Sequence, residues 1–430
     1  MRVRATWIFS DRNPGRYAFN VLAGALRDAS ETRDELRLEF PRRPQALLDA
    51  TRAALERGER TLVAWSFYSA SFESCAEELA WLRANVDGAW AALAGGVHAT
   101  AEPLEVLRAG FDLAAVGEGE HTALALARAL VEGASLESTP GIARLENGAL
   151  VRTSRGQPVL ELDSFAPFDP ARRRFGAIEI TRGCIYACSF CQTPFLAKAR
   201  FRHRSSANVA HWAGELARAG LRDVRFISPT SLSYGSRDES VELDAIEELL
   251  ARVREAIGPH RRLFFGTFPS EVRPEHVTPR ALAVLRRYVD NDNLVIGGQS
   301  GSQRVLDATH RGHDVECIER AVLACRAAGF EPNVDFLLGL PGEEPEDARA
   351  TLELIERLAS HGARIHAHTF MPLPGTPLRS AAPGRVEGRQ RRRIESLEGA
   401  GVLFGQWRRQ EQLAERRAAI GSPRAELEHD

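Results

Sequence analysis

Residues 181–194 read Thr-Arg-Gly-Cys-Ile-Tyr-Ala-Cys-Ser-Phe-Cys-Gln-Thr-Pro and contain three of the six cysteines in the 430-residue chain. Cys184, Cys188 and Cys191 have no fourth cysteine nearby. Thiolates select soft metals such as zinc and iron, and a closed structural site takes four protein ligands. Three thiolates on a four-iron, four-sulfur cluster would leave one iron able to bind a small molecule. The motif therefore predicts an iron–sulfur cluster with an open coordination position.

A zinc site is the main alternative for these cysteines, and it would need a fourth cysteine or histidine at short spacing. The nearest histidine, His203, lies twelve residues past Cys191 inside the basic run 200–204. Chance clustering is a poor explanation, because half of the cysteines fall within eight residues. Zinc binding and simple electron transfer stay open, and the cluster is preferred.

The Cys-x3-Cys-x2-Cys spacing, with Phe190 just before the third cysteine, resembles the signature of the radical S-adenosylmethionine (SAM) superfamily. The resemblance implies that Cys184, Cys188 and Cys191 hold a [4Fe–4S] cluster whose open iron chelates SAM. One electron, from a reductant such as flavodoxin or ferredoxin, would cleave SAM to a 5′-deoxyadenosyl radical. Phe190 would belong to the cofactor site.

Composition limits the cellular setting and the partners. Two or three domains are expected for 430 residues, and 44% hydrophobic with 27% charged residues is ordinary for a soluble globular protein. The net charge of -2 gives no general attraction to nucleic acid or to an anionic membrane. We find no signal peptide, no membrane-spanning run and no disulfide framework, which predicts a cytoplasmic protein without a membrane partner.

Residues 1–133 predict a doubly wound, five-stranded parallel sheet. Short apolar runs at 3–9, 36–40, 61–66, 89–94 and 113–116 alternate with amphipathic helical segments. Ligands of such sheets bind beyond the carboxyl ends of the strands. The loops at these ends contain the following candidate ligand-binding residues: Asp11, Asn13, Ser66, Tyr68, Gly95, Gly96, His98 and Glu118.

This order of small and polar loops resembles the cobalamin-binding domain that precedes many radical SAM catalytic domains. The resemblance implies that the eight loop residues surround cobalamin. Asn13 stands where some of these domains have a cobalt-ligating histidine, so no lower ligand comes from that loop. The alternatives are another nucleotide or a domain that only packs. Gly95 and Gly96 suit any tight turn, and His98 could be a satisfied polar group.

Residues 134–175 read as a connector that contains a β-hairpin, because Asn147-Gly148 lies between two apolar runs. From 176 to 380 a strand followed by a helix recurs six times. Six units are two short of a full barrel, so we expect an open partial (βα)6 barrel with its chemistry at the strand carboxyl ends. Residues 381–430 read as a helical C-terminal extension rich in arginine.

The barrel's strand ends supply further candidate SAM-binding residues. Ser228, Pro229 and Thr230 follow the second strand, where radical SAM proteins commonly use Gly-Gly-Glu for the SAM amino group; those residues are absent here. Gln299 and Ser300 follow the fourth strand. Asp335 lies on the fifth strand and Met371 follows the sixth. Successive strand ends of this kind predict one site.

Residues 180–380 resemble the radical methylthiotransferases through Gln-Ser-Gly-Ser at 299–302, Leu-Pro-Gly-Glu at 340–343 and Leu-Pro-Gly-Thr-Pro at 373–377. Those enzymes carry a second cluster on three N-terminal cysteines, whereas residues 1–183 contain only Cys75. Their C-terminal RNA-binding barrel has no counterpart, which also argues against a nucleic-acid partner.

The chain is therefore predicted to be a radical SAM enzyme with a [4Fe–4S] cluster, SAM and cobalamin, transferring a methyl group to an unactivated carbon. The substrate is a small molecule or a peptide that the sequence does not identify. One alternative is cobalamin-independent or methylthiotransferase-like chemistry. Another, of a different class, is a non-catalytic iron–sulfur electron carrier or regulatory binding module.

Overall fold

The structure is a computed structural model that describes residues 3–12, 15–27, 29, 32 and 34–420. The chain divides into two compact units, Met1–Gly176 and Ala177–Asp430. The described residues contain no helix that is both long enough and apolar enough to cross a membrane.

The first unit is a seven-stranded sheet in the order β2-β1-β3-β4-β5-β6-β7. Its strands are β1 (Ala5–Phe9), β2 (Leu36–Glu39), β3 (Arg60–Ser66), β4 (Trp90–Gly95), β5 (Leu113–Ala115), β6 (Ile142–Glu146) and β7 (Ala149–Arg152). Its helices are α1 (Arg16–Arg27), α2 (Pro44–Glu56), α3 (Phe72–Asn85), α4 (Val97–Ala101), α5 (Pro103–Arg108) and α6 (Gly119–Glu132). The pairings from β2 to β5 are parallel.

Helices cover both faces of this sheet, which confirms the doubly wound prediction. Along β1 every residue is buried, as expected for a strand with apolar neighbours on both sides. Trp7 and Phe9 pack in one core with Phe19 of α1, and Ile8 packs in the other core with Leu47 of α2.

The sheet has seven strands where the sequence predicts five. The predicted hairpin forms, but β6 pairs antiparallel with β5, so the hairpin extends the sheet instead of standing apart as a connector. Asn147 and Gly148 have φ of 52° and 80°, the left-handed values that the tight turn between β6 and β7 requires. Ala143, which pairs with Ala114, is fully buried in the core of the first unit.

The second unit is an open parallel barrel with helices around it. Its strands are β8 (Ile178–Glu179), β9 (Thr181–Arg182), β10 (Arg202–His203), β11 (Asp223–Val224), β12 (Phe226–Ile227), β13 (Arg262–Leu263), β14 (Asn293–Gln299), β15 (Glu331–Leu338), β16 (Arg364–Thr369) and β17 (Leu403–Gly405). Its helices are α7 (Thr193–Leu196), α8 (Ser206–Arg218), α9 (Leu243–Ile257), α10 (Pro279–Tyr288), α11 (Gln303–Ala308), α12 (Val315–Ala327), α13 (Pro345–Ser360), α14 (Gly388–Gly399) and α15 (Trp407–Ile420).

Parallel pairing joins β8 to β12, β11 to β13, and β14 through β17 in sequence order. A parallel bridge from Val272 to Ile296 connects the segment after β13 to β14. Polar caps start several of the helices that separate the strands. Ser205, Thr278 and Asp314 accept a backbone N–H in the first turns of α8, α10 and α12.

The predicted helical extension after residue 380 is wrong in one respect. It contains a seventh parallel strand, β17, between α14 and α15. Leu403 is buried against the sheet and pairs with Ile365, while Gly401 takes a left-handed φ of 73° just after α14. Three residues are too few for periodicity to separate a strand from the end of a helix.

Candidate active site

A short antiparallel pair of strands closes the cysteine loop at both ends. Arg182 pairs with Arg202, and Thr181 pairs with His203. Gly183 follows β9 with φ of 81°, and a Cβ there would lie 2.1 Å from the carbonyl oxygen of Arg200. Only glycine fits this position, so the residue before Cys184 is set by the loop's own packing.

The three cysteines line one cavity of about 550 Å³, together with residues of β14, β15, β16 and β17 and of the segments that follow β12 and β13. The Cys191 N–H donates to the Cys188 carbonyl at 3.0 Å, which folds the loop tightly between these two residues. Burial raises the pKa of Cys184 to about 11 and also raises the pKa of Cys191. Such thiols become thiolates when a cation binds them, which suits metal ligands and not exposed nucleophiles.

Phe190 lines the same cavity. Its ring packs against a buried cluster of Val305, Leu340 and Phe370. This contact ties the cysteine loop to the segments that follow β14, β15 and β16. The aromatic residue before the third cysteine therefore holds the loop in place.

The structure brings Ser228, Pro229 and Thr230 to the cavity wall. The Ser228 hydroxyl donates to the Thr230 carbonyl at 2.9 Å, whereas the Thr230 hydroxyl is buried and makes no hydrogen bond with any described residue. Asn333 also lines the cavity, and its side-chain oxygen is buried without a hydrogen-bond partner among the described residues. Buried polar atoms normally find partners, so these two indicate a polar ligand.

Glu271 is a cavity residue that the sequence analysis missed. Burial raises its pKa to about 7, against the opposing effect of the Arg311 guanidinium, and the nearby Asp335 raises it further. A ligand ammonium beside Glu271 would offset this cost and restore the carboxylate. The missing Gly-Gly-Glu motif therefore has a candidate replacement from another strand end.

Asp335 also lines the cavity and is hydrogen-bonded to a histidine on the neighbouring strand. His366 Nδ1 lies 3.0 Å from Asp335 Oδ1, and the two residues are direct partners in the β15–β16 pairing. Asp335 accepts this hydrogen bond from the Nδ1–H of His366. His366 itself lines the cavity.

The ligand atoms of Asp335, His366 and His368 all lie within 4.8 Å of one another, a grouping that could hold a metal ion. The hydrogen bonds argue otherwise. The Thr369 N–H donates to Gln410 Oε1 at 3.0 Å, so the Gln410 amide NH2 must donate to His368 Nδ1, also at 3.0 Å. Burial lowers the pKa of His368, and the neutral ring then carries its proton on Nε2 and offers no free nitrogen to a metal.

Three predicted SAM-binding residues do not line this cavity: Gln299, Ser300 and Met371. Ser300 is buried, and its hydroxyl pairs with the Thr351 hydroxyl and accepts the Ser302 N–H. Gln299 ends β14 at a register shift with a left-handed φ of 72°. The Gln-Ser-Gly-Ser run thus shapes the end of a strand.

In the first unit, three of the predicted ligand residues are held by the protein itself. Arg174 donates to both carboxylate oxygens of Asp11, at 2.8 and 3.1 Å. His98 is 0% exposed and lies between the Ser69 hydroxyl (3.0 Å) and the Glu105 carboxylate (3.3 Å).

Glu118 accepts the Val159 N–H at 2.8 Å. These contacts favour structural roles for Asp11, His98 and Glu118.

The remaining loop residues lie together at the carboxyl ends of β3 and β4. Ser66 ends β3 and Gly95 ends β4, and the two pair directly. Gly96 has φ of 92°, and a Cβ there would lie 2.8 Å from the Phe67 carbonyl, so its glycine is required by internal packing. Tyr68 is 51% exposed, which is unusual for a large aromatic residue and suits a planar ligand. Asn13 lies outside the described residues.

Several cavity residues escaped the sequence analysis, among them Glu271, Arg311, Asn333 and His366. The sequence pattern did contain a signal for Asn333, which lies two residues before Asp335. Along β15 burial alternates strictly, so Asn333 and Asp335 share the face opposite the buried Val334 and Phe336. This alternation could have added Asn333 once Asp335 was selected. Glu271 and Arg311 lie in irregular segments, where no period exists to read.

Comparison with known proteins shows which protein family the barrel matches. Residues 178–355 match the model of the Radical SAM superfamily. The chain is 28% identical over 257 residues to tRNA-2-methylthio-N(6)-dimethylallyladenosine synthase of Saccharophagus degradans, which covers 59% of this chain and 54% of that protein. The enzyme of the same name from Magnetococcus marinus is 30% identical over 229 residues, 52% of this chain and 50% of its own. The chain thus spans about half the length of the curated relatives it matches.

Two solved structures share the fold over most of the chain. The radical SAM methyltransferase TsrM of Kitasatospora setae, with cobalamin and a [4Fe–4S] cluster bound, aligns with a TM-score of 0.67 at 20% identity, covering 88% of this chain and 74% of its own. The cobalamin-dependent radical enzyme OxsB, with aqua-cobalamin bound, aligns with a TM-score of 0.66 at 13% identity, covering 100% and 63%. The barrel with its three cysteines is a radical SAM domain, homologous to that of the methylthiotransferases and preceded in the chain by a doubly wound α/β unit.

Proposed function

We propose that this protein is a radical SAM enzyme that methylates an unactivated carbon with the help of cobalamin. When bound, the cluster and SAM supply a 5′-deoxyadenosyl radical that takes a substrate hydrogen, and cobalamin supplies the methyl group that replaces it. The observation that carries the proposal is the convergence of three cysteines with unsatisfied polar atoms on one cavity.

The residues of the chain position and enclose the cofactors. Cys184, Cys188 and Cys191 would ligate three irons and leave the fourth for SAM. Thr230 and Asn333 offer their unpaired oxygens to the methionine part of SAM, and Glu271 offers a carboxylate to its ammonium group.

The rest of the wall serves the substrate. Phe190, Phe268 and Phe404 give part of the cavity wall an apolar surface. His366, held by Asp335, adds a polar group to the same wall.

The cobalamin part of the proposal rests on the first unit. TsrM and OxsB, whose structures contain cobalamin, align with both units of this chain. At the carboxyl ends of β3 and β4 the protein exposes Tyr68 beside Ser66 and Gly95, a surface on which a planar macrocycle could lie. Any lower axial ligand would have to come from elsewhere, since His98 is buried and held by Ser69 and Glu105.

Anaerobic reconstitution with iron and sulfide tests the radical step. With dithionite and SAM, the protein is expected to release 5′-deoxyadenosine, measured by liquid chromatography and mass spectrometry. Replacing the three loop cysteines together by alanine should reduce the product to background and remove the cluster absorbance. Cys317→Ala is the matched control, because Cys317 is buried in α12 and should leave both unchanged. A fully reduced cluster that yields no 5′-deoxyadenosine would overturn the proposal in favour of an electron carrier.

Cobalamin binding is tested by the visible spectrum of protein purified from cells supplied with hydroxocobalamin. Tyr68→Ala should weaken retention by roughly three- to tenfold through loss of an aromatic contact. Trp81→Ala is the control, since Trp81 is also an exposed aromatic of the first unit but lies on α3. Protein that binds no cobalamin would leave the cobalamin-independent alternative.

Methylthiotransferase chemistry is the second candidate, because the curated relatives carry that name. It would call for a second cluster, yet residues 1–183 contain only Cys75, which packs against a core of the first unit. Iron analysis separates the two. Iron for one four-iron cluster per chain supports the proposal, and iron for two supports the alternative.

A further inference from the structure

Arg311 is a buried cation whose guanidinium contacts one of the three cysteines. It is 4% exposed, and its guanidinium NH1 lies 3.6 Å from Cys188 Sγ. Its NH2 donates to the Gly297 carbonyl at 2.6 Å, and its Nε donates to His313 Nε2 at 3.1 Å. All three nitrogens of the guanidinium therefore have partners, and the one aimed at the cysteine loop meets sulfur.

The partner at Nε keeps this geometry over a wide pH range. Burial and the neighbouring Arg311 lower the pKa of His313 to about 4. The imidazole is therefore neutral above that pH and accepts from Arg311 through Nε2. The guanidinium cannot rotate away from Cys188 without losing this bond and the bond to Gly297.

No carboxylate is hydrogen-bonded to the Arg311 guanidinium within the described part of the chain. Glu275 is committed to Arg273. Glu271 has a pKa raised to about 7 and balances the charge only in part. Burial disfavours the charge on Arg311, yet Cys188 and Glu271 raise its pKa above the usual value. The sulfur of Cys188 is thus the direct hydrogen-bond partner of Arg311 NH1.

We infer that Arg311 tunes the cluster electrostatically, raising the midpoint potential of the [4Fe–4S] centre through Cys188. The inference rests on the proposed function, since it requires the cluster. Reduction adds a negative charge to the cluster and its thiolates, and a fixed cation at hydrogen-bond distance from one sulfur stabilises the reduced form. Arg311 is a positioning residue in this role and takes no part in bond breaking.

The test is an EPR-monitored redox titration of the reconstituted full-length protein without SAM. Arg311→Met removes the charge and the donor. At a fixed potential it should lower the ratio of reduced to oxidised cluster by roughly tenfold, equivalent to 59 mV for a one-electron couple. Arg311→Lys keeps the charge without the guanidinium fork, and its midpoint should lie between those of Arg311→Met and the unaltered protein. Loss of the N–H···S bond should also shift an iron–thiolate stretch in the resonance Raman spectrum.

Arg254→Met is the matched control. Arg254 is another partly buried arginine of the barrel, but it lies on α9 and donates to the backbone carbonyls of Tyr288 and Arg261. Its replacement should leave the midpoint unchanged. If Arg311→Met fails to assemble a cluster, the Arg311→Lys midpoint decides, and it must lie below that of the unaltered protein.

Equal midpoints in the unaltered protein and the Arg311 variants would overturn the inference and leave the proposed function standing. The same holds if Arg311→Met weakens SAM binding at an unchanged midpoint, because Arg311 would then be a SAM contact. Absence of 5′-deoxyadenosine from the unaltered protein would instead overturn the proposed function, and the potentials would still be measurable.

Discussion

The two units treat the polar residues at their strand ends in opposite ways. In the barrel, Thr230 and Asn333 line a cavity, and their buried side-chain oxygens have no hydrogen-bond partner among the described residues. In the first unit, Asp11 is paired with Arg174, and His98 lies between Ser69 and Glu105. A polar residue after a strand is therefore a ligand candidate only when its hydrogen bonds are left open. Satisfied groups build the scaffold, and an unsatisfied group is a ligand candidate when its residue also lines a cavity.

The largest expected effect breaks the scaffold side of this contrast. Asp11→Ala leaves the guanidinium of Arg174 buried without its bidentate partner, which should cost about 3–5 kcal/mol in the free energy of unfolding. Burial opposes ionisation of Asp11, but the Arg174 guanidinium prevails and lowers its pKa. The stabilisation is therefore present at neutral pH and is lost as the pH falls below about 4. Urea unfolding of Asp11→Ala and of the unaltered protein at pH 7 and pH 3 measures this loss of stability and its dependence on pH.

Cluster assembly supplies the control for Asp11→Ala, since the variant should retain its iron in the second unit. An Asp11→Ala protein of unaltered stability that no longer retains cobalamin would reverse the assignment. Asp11 would then be a ligand contact, as the sequence predicts.

A smaller effect is expected at the cavity carboxylate. SAM binding should weaken about tenfold per pH unit below pH 7, because Glu271 must lose its proton to meet the SAM ammonium, and should be constant above it. Arg311, Arg273 and Asp335 also act on the pKa of this carboxylate. Glu271→Gln should bind SAM roughly 10- to 100-fold less tightly at pH 8, the range for a hydrogen bond to a charged group, and without pH dependence.

Glu343→Gln controls for the pH profile. Burial also raises the Glu343 pKa to about 7, but its carboxylate accepts the Gly339 N–H and does not line the cysteine cavity. Its replacement should preserve the pH dependence of SAM binding measured by calorimetry. A profile that survives Glu271→Gln would identify a different titrating group.

The contrast also explains which parts of the molecule the sequence could predict. The cysteine loop could be predicted because its determinants lie close together in the sequence. The spacing of the cysteines and the chemistry of thiolates indicate a metal site, and Gly183 is required by a contact within the same loop. Five strands of the first unit and six strand regions of the barrel were predicted because short apolar runs alternate with amphipathic helical segments along the chain.

Long-range pairing set the features that the sequence did not show. The hairpin of β6 and β7 was predicted, but its pairing with β5 depends on which sheet edge is open. Strand β17 is too short to carry a period. Asp11 was selected as a ligand residue because nothing in the sequence shows that Arg174, 163 residues later, saturates it.

The smallest expected effect isolates the value of an unsatisfied group. Thr230→Val removes a buried hydroxyl that has no partner, so the SAM-free protein should be equally or slightly more stable, while SAM binding should weaken several-fold, by about 1 kcal/mol. Thr369→Val is the matched control, because its hydroxyl is also buried and unsatisfied but lies outside the cavity. Thr369→Val should change the free energy of unfolding by a similar amount and leave SAM affinity unchanged. If Thr230→Val raises the free energy of unfolding but weakens SAM binding, and Thr369→Val does not weaken SAM binding, then the burial of the Thr230 hydroxyl is compensated only when a ligand is bound. Equal SAM affinities in the two variants would place SAM away from Thr230.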